Sequence, residues 1–223
     1  MKYYPVNLDI RNRNCLVVGG GGVGTRKVIS LIACGAAVTV VSPAVTSKLS
    51  DLAAEERIQI KQRAYHQSDL EGMFLVIGAT SDEALNQQIS TDAEKRNLLC
   101  NIADVPKACN FILPAVVRRG DLIIAISTSG NSPAFAKKLR KQLEAQFGEE
   151  YARLLGLMGA IRKKLLAQAH EPEAHKHLFE QLLDTGLLDM IREEKTAEIN
   201  ALLLKTIGKG YIIDELLPEP IDD

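Results

Sequence analysis

The stretch that decides the fold is Cys15-Leu16-Val17-Val18-Gly19-Gly20-Gly21-Gly22-Val23-Gly24-Thr25-Arg26-Lys27. An apolar run of strand character enters a glycine-rich turn, and the turn opens a helical pattern. Gly19, Gly21 and Gly24 fall at the spacing G-x-G-x-x-G. Each glycine has its own mechanical role. Gly19 permits the tight turn, Gly21 lets the backbone approach a pyrophosphate, and Gly24 lets the helix pack close to the strand. The helix start then presents free N–H groups and the positive end of its dipole to phosphate. In this strand–turn–helix context the residues Gly19, Gly21, Gly22, Val23 and Gly24 predict a dinucleotide site. Glycine runs are also plain turns, so the context carries the reading rather than the glycines alone.

Outward from this loop, strand-like runs lie at Cys15–Val18, Ala37–Val41, Ile58–Gln62, Phe74–Ile77, Leu98–Ile102 and Leu122–Ser127. Helical patterns fall between most of them, over Gly22–Cys34, over Val45–Glu56, and from an N-cap at Ser81-Asp82 to Lys95. Alternating strands and helices predict a parallel sheet with helices on both faces, a Rossmann-type α/β layout. After residue 113 the pattern changes. Pro114–Gly120 reads as a short turn or helix, and Ser127-Thr128-Ser129-Gly130-Asn131-Ser132-Pro133 as a polar loop. Pro133 suits the first turn of a helix over Pro133–Phe147. From Tyr151 onward the chain reads as helix only. Tyr151, Leu154, Leu155, Met158, Ile161 and Leu165 share one face. Further helices are expected over Glu171–Leu183 and Lys195–Ile207, with Gly186 and Gly208 as stops.

The 223 residues are 46% hydrophobic and 25% charged, with net charge −1, the composition of an ordinary globular chain. No apolar run reaches the length of a membrane span, and the N-terminus lacks the apolar core of a signal peptide. The reading is a cytoplasmic protein with no membrane partner. Cys15, Cys34, Cys100 and Cys109 are scattered and read as small buried hydrophobes rather than a metal site or disulfide set. His66, His170, His175 and His177 form no HExxH, and His175-x-His177 reads as surface, so no metal ligand is assigned. The near-neutral balance hides an asymmetry: residues 1–147 carry 18 Lys and Arg against 13 Asp and Glu, residues 148–223 carry 9 against 15. Arg118, Arg119, Lys137, Lys138, Arg140 and Lys141 read either as a solvated face or as a site for a small anion. With aromatics at 4%, nucleic acid is not the expected partner.

In a doubly wound sheet, ligands bind beyond the carboxyl ends of the strands. That rule selects Gly19–Gly24, Ser42-Pro43, Ala79-Thr80 and Asn101–Asp104. The second place lacks the acid that usually holds the ribose hydroxyls; Ser42 stands there uncharged. No arginine adjoins it to hold a 2′-phosphate, which favours NAD over NADP. Asp104, after a buried strand and expected to face the crevice, is the candidate general base, a carboxylate partly removed from water. A loop Asp capping a turn before Pro106 explains it equally well from the residues alone. Asn101 reads as a hydrogen-bonding group for backbone or cofactor. The hydroxyls of the Ser127–Pro133 loop suit a phosphate or carboxylate cradle, or else a chain of caps and turns.

Taken in order, Tyr4-Pro5-Val6, Cys15–Lys27, Gly78-Ala79-Thr80-Ser81-Asp82 with Asn86, Asn101–Asp104, Asn110-Phe111-Ile112-Leu113-Pro114 and Ile126–Pro133 with the basic helix to Glu144 give a more specific signal. Together they resemble the precorrin-2 dehydrogenase and sirohydrochlorin ferrochelatase family, the N-terminal module of siroheme synthase and its stand-alone relatives. The resemblance covers about residues 1–147; beyond Phe147 the likeness lies only in being helical. It implies NAD-dependent oxidation of precorrin-2 to sirohydrochlorin, with Fe²⁺ as a further substrate in members that chelate. It implies a Rossmann domain over 1–113, a dimerisation and substrate region over 114–147 and a helical domain over 148–223. It also implies a homodimer with the active site in a crevice between domains. Asp104 is the base by that resemblance. Ser127, Thr128, Ser129, Arg118 and Lys137 stand on the side of a polycarboxylate tetrapyrrole. Gly19, Gly21, Gly22, Val23, Gly24, Ser42, Pro43, Ala79, Thr80 and Asn101 stand on the side of NAD. The competing reading is an NAD-sensing regulatory domain without catalysis, which leaves Asn101–Asp104 and Ser127–Pro133 unexplained.

Overall fold

Alternation within one strand sets the two faces of the central sheet. In β1 (Asn14–Gly20), Cys15 and Val17 point into one apolar cluster, while Leu16 and Val18 point into another. The structure, a computed structural model, describes residues 3–168 and 172–217. His170 and Glu171, the expected first residue of a tail helix, lie outside the described residues, as do Met1 and Lys2. The chain divides into two compact units, Met1–Leu113 and Pro114–Asp223.

The first unit is a parallel sheet of β1, β2 (Ala37–Val45), β3 (Gln59–Lys61), β4 (Leu75–Gly78) and β5 (Leu99–Ile102), in the order β3-β2-β1-β4-β5. The order reverses at β1, so the edge between β1 and β4 is the switch point where such sheets bind ligands. Helices α1 (Gly22–Ile32) and α2 (Ser47–Ala54) bring Val28, Leu31, Leu49 and Leu52 to the Cys15–Val17 face. Helix α3 (Glu83–Glu94) brings Ile89 and Ala93 to the other. Asp82 caps α3 by accepting the Leu85 N–H at 3.0 Å. Between β3 and β4 the connection is a single 3₁₀ turn, Gln67–Leu70. There Asp69, its side chain almost wholly buried, accepts from Arg63, Lys61 and the His66 N–H. The Arg63 guanidinium, foremost among these, holds the Asp69 carboxyl far below the usual carboxylate range.

The second unit opens with an antiparallel hairpin of β6 (Ala115–Arg119) and β7 (Leu122–Ile126). The expectation of a turn or short helix over Pro114–Gly120 is corrected here. Pro114 and Gly120 punctuate the segment, but the β-branched Val116 and Val117 between them extend the chain. Gly120, at φ +54°, begins the two-residue turn with Asp121 that favours a hairpin. Helix α4 (Pro133–Gln146) covers one hairpin face through Ala136, Leu139 and Leu143 against Val117, Ile124 and Ile126. The remaining elements are α5 (Glu150–Ala167), α6 (Pro172–Asp184), α7 (Leu187–Arg192), α8 (Thr196–Thr206) and α9 (Ile213–Leu216). Their core gathers Leu154, Leu157, Ile161 and Leu165 of α5 with Leu182, Leu187, Ile191, Ile199 and Leu203. The buried face of α5 thus runs through Leu157, and Tyr151, Leu155 and Met158 are only half-buried. Gly186, at φ +79°, lies between α6 and α7, a helix the sequence reading did not separate. His175 is buried with its ring edge-on to Phe179, correcting its placement at the surface; His177 is exposed beside Glu180.

Candidate active site

The glycine loop is shaped by what side chains would strike. Gly19 has φ +113°, and a Cβ there would lie 2.5 Å from the Ala79 carbonyl oxygen. A Cβ on Gly24 would lie 2.0 Å from the Gly19 carbonyl oxygen, which is the close helix–strand approach expected of that glycine. A Cβ on Gly20 would meet the Ala44 oxygen at 2.4 Å, a constraint the spacing motif does not contain. At Gly21 the same atom meets nothing within 4 Å. Gly21 is also the N-cap of α1 and brings no capping side chain. The amides of Gly22, Val23 and Gly24 in the first turn therefore lack an intrahelical acceptor and face an open approach over Gly21. Tight packing behind the loop and open space before it fit a dinucleotide pyrophosphate.

The other strand ends complete this edge of the sheet. Beyond Val41, β2 loops out: Val18 pairs with Val41, but Gly20 pairs with Val45. Ser42 is buried in this bulge and donates to the Ala44 carbonyl at 2.7 Å, while Pro43 is exposed. The cations on the neighbouring β3 segment, Lys61 and Arg63, are held by Asp69. After β4, the Thr80 hydroxyl and Asn86 interlock, with the Asn86 amide donating to the Thr80 carbonyl at 3.0 Å. Asn86 also crowds Gly78, where a Cβ would meet its Oδ1 at 3.2 Å. After β5, buried Asn101 donates to the Phe111 carbonyl at 3.1 Å, so its amide group serves the backbone.

Asp104 follows in a turn closed by the Val105 N–H on the Ile102 carbonyl, 3.3 Å. Its φ is +60°, a left-handed conformation that Asp tolerates at some cost. The side chain is exposed, so the partial desolvation expected of it is not found within the first unit. Lys27, half-buried on α1, lies within electrostatic reach of Asp104 and Cys109. Burial pushes the Lys27 ammonium down, and Asp104 opposes that shift. The sequence reading gave Lys27 no role. It was detectable as a charge three residues after Gly24 and four before Leu31, both buried.

In the second unit the Ser127–Pro133 loop is ordered by its own hydroxyls. The Asn131 N–H closes a turn on the Thr128 carbonyl at 2.9 Å, with Ser129 and Gly130 both at positive φ. Thr128 Oγ1 accepts the Ser132 N–H at 3.2 Å, and Ser127 Oγ accepts the Ser129 N–H at 3.1 Å. Ser132 caps α4 through the Phe135 N–H. A hydroxyl that accepts a backbone N–H keeps its proton to donate, which suits a carboxylate. The basic residues do not form one cluster. Arg119 donates to the Glu144 carbonyl and pairs with Glu149, and Arg140 pairs with Glu144. Val117 is buried toward α4, so its strand neighbours Val116 and Arg118 take the opposite, exposed face of the hairpin. Lys137, Lys138 and Lys141 share an exposed face of α4, and no ion pair among the described residues engages them. Arg118 and Lys137 thus sit on different faces of this unit.

Two family models match the chain. Residues 6–115 match a model described as NAD(P)-binding, and residues 119–146 match one described as sirohaem biosynthesis protein central. The siroheme synthase of Thioalkalivibrio sulfidiphilus is 36% identical over 210 residues, covering 94% of this chain and 43% of that protein. The siroheme synthase of Citrobacter koseri is 33% identical over 222 residues, covering 100% and 47%. Among solved structures, SirC, a precorrin-2 dehydrogenase, superposes with TM-score 0.75 at 28% identity, over 89% of this chain and 100% of that one. Over nearly its whole length the chain is homologous to siroheme synthases and to a precorrin-2 dehydrogenase. It spans less than half the length of the siroheme synthases it matches. The Rossmann-type fold described above is the one it shares with SirC. Among the described residues no three His, Cys, Asp or Glu gather to hold a metal, and no helix is long and apolar enough to cross a membrane.

Proposed function

We propose that this chain oxidises precorrin-2 to sirohydrochlorin with NAD⁺. One observation carries the proposal: an uncapped helix start at the switch point of the sheet shares its edge with a strained Asp104 turn. The full-length likeness to SirC supports the substrate. The amides of Gly22, Val23 and Gly24, with the backbone at Gly19 and Gly21, would hold the pyrophosphate. Ser42, Pro43, Ala79, Thr80 and Asn101 would border the rest of the dinucleotide. Bound NAD⁺ supplies the hydride acceptor. Asp104 takes the proton released from the macrocycle, acting as general base. NAD rather than NADP fits a β2 end that offers no cation, since Lys61 and Arg63 are tied to Asp69.

On the substrate side, Ser127, Thr128 and Ser129 would meet the carboxylates of the tetrapyrrole as donors, and Lys137 would supply positive charge. The hairpin's outer face exposes Val116 and Ile123 at 41% and 52% beside Arg118, and a two-stranded sheet gains from a cover. A second copy of the chain is the proposed cover, giving a homodimer in which Arg118 lies near the shared face. Four free thiols accord with the cytoplasm. Nucleic acid and membrane have no part in the proposal.

The test is direct. Incubation with precorrin-2 and NAD⁺ should convert the precorrin-2 spectrum to that of sirohydrochlorin, and Asp104→Ala should slow turnover by roughly 100-fold or more. A protein that binds NAD⁺ and leaves precorrin-2 unchanged would instead be a sensing domain. Because the matched relatives are siroheme synthases, Fe²⁺ and sirohydrochlorin form the second assay. In that step Asp104 would accept pyrrole protons as iron enters.

A further inference from the structure

The segment returning past β5 covers that strand's free edge, and Cys109 is the point where it grips. Asn110 fixes the segment: its N–H donates to the Cys100 carbonyl at 3.1 Å, its Oδ1 accepts the Cys100 N–H at 2.8 Å, and its Nδ2 donates to the Leu98 carbonyl at 2.7 Å. The Cys109 sulfur then meets the end of the strand. It accepts the Ile102 N–H at 3.1 Å, and its S–H lies 3.3 Å from the Ile102 oxygen and 3.2 Å from the Val105 oxygen. The Asn101 Nδ2 is 3.6 Å away. Ile102 and Val105 are the two ends of the turn that holds Asp104 at φ +60°. One sulfur thus ties both ends of that turn to the strand edge. A thiol has the donor and acceptor capacity for this and a longer reach than a hydroxyl.

We propose that Cys109 is a positioning residue for Asp104, its sulfur holding the turn in the left-handed form that presents the carboxylate. The proposal rests on the reading of Asp104 as the base. Removing the sulfur leaves the Ile102 N–H without a partner and frees the turn to relax from a conformation that L-residues rarely hold. Proton removal then suffers, while the glycine loop, built from different contacts, keeps its NAD⁺ affinity.

Steady-state oxidation of precorrin-2 should be measured for the parent, Cys109→Ala, Cys109→Ser and Asp104→Ala, with NAD⁺ affinity by calorimetry. Cys109→Ala should lower kcat about tenfold, with the NAD⁺ dissociation constant within about twofold of the parent. Cys109→Ser, which keeps a donor and an acceptor at shorter reach, should recover kcat to within about threefold. A Cys109→Ala kcat within about twofold of the parent, beside a crippled Asp104→Ala, overturns the positioning role alone. So does a loss of NAD⁺ affinity in step with kcat, or a serine variant no better than alanine. A parent that does not oxidise precorrin-2, or an Asp104→Ala variant at the parent rate, overturns the underlying reading as well.

Discussion

Where anions are proposed to bind, the two units are built in opposite ways. In the first, the glycine loop receives its shape from excluded side chains, and the nearby cations Lys61 and Arg63 are bound to buried Asp69. In the second, the Ser127–Pro133 loop receives its shape from hydroxyls that grip their own backbone, and Lys137, Lys138 and Lys141 stand exposed on α4. A site of backbone amides must be rigid, because its donors have no rotamers with which to adapt. A site of hydroxyls and lysines can adjust to an irregular polycarboxylate. Close-packed geometry in one unit and exposed charge in the other is the difference this chain displays.

The sharpest way to break that contrast is to add single methyl groups. Gly24→Ala places a carbon against the Gly19 oxygen and should cost about 3 kcal/mol and abolish NAD⁺ binding, read by denaturant unfolding and calorimetry. Gly21→Ala meets open space, so it should keep the unfolding midpoint and lose only NAD⁺ affinity. Next in size is Asp69→Asn, expected to cost about 2 kcal/mol at neutral pH. Because folding lowers the Asp69 pKa, its contribution is present above about pH 4 and fades as acid protonates the carboxyl. The parent should therefore lose more stability than the variant between neutral pH and acid, in unfolding curves taken across that range. Ser132→Ala removes the α4 cap and should cost about 1 kcal/mol in the same measurement. Smallest in stability is the pair Lys137→Glu and Lys141→Glu, within about 0.5 kcal/mol of the parent. These two should raise KM for precorrin-2, with a deficit that shrinks as salt is added. An unchanged KM would leave the lysines as a solvated face.

Sequence alone carried the sheet far. All five parallel strands fall within a few residues of their expected places: the buried ones read as apolar runs, and the exposed edge strand β3 by the alternation of Ile58 and Ile60 with polar residues. The packing roles given to Gly19 and Gly24 reappear as close contacts, since they follow from excluded volume near one loop, whereas Gly21 faces open space. β6 escaped because Pro114 and Gly120 bracket it like the ends of a turn, and its five residues are too short for alternation to show. The basic residues misled because proximity in sequence ignores which face a strand residue takes: Arg118 and Arg119 are neighbours in the chain and occupy opposite sides of a hairpin. Ser42 stood where a ribose partner was expected, yet a bulge invisible in the sequence turned its hydroxyl toward Ala44. Cys109 escaped because a sulfur's role at a strand edge depends on where the chain returns, about ten residues from the strand's start.

Gly20 carries a consequence for how this chain can drift. It lies within reach of the Ala44 oxygen and the Val45 side chain at the far end of the β2 bulge. No side chain at position 20 has room while the bulge keeps its path. A residue larger than glycine at position 20 should therefore require the bulge to be reshaped with it. The end of the chain's first strand and the end of its second, about 25 residues apart, are sterically coupled at this point.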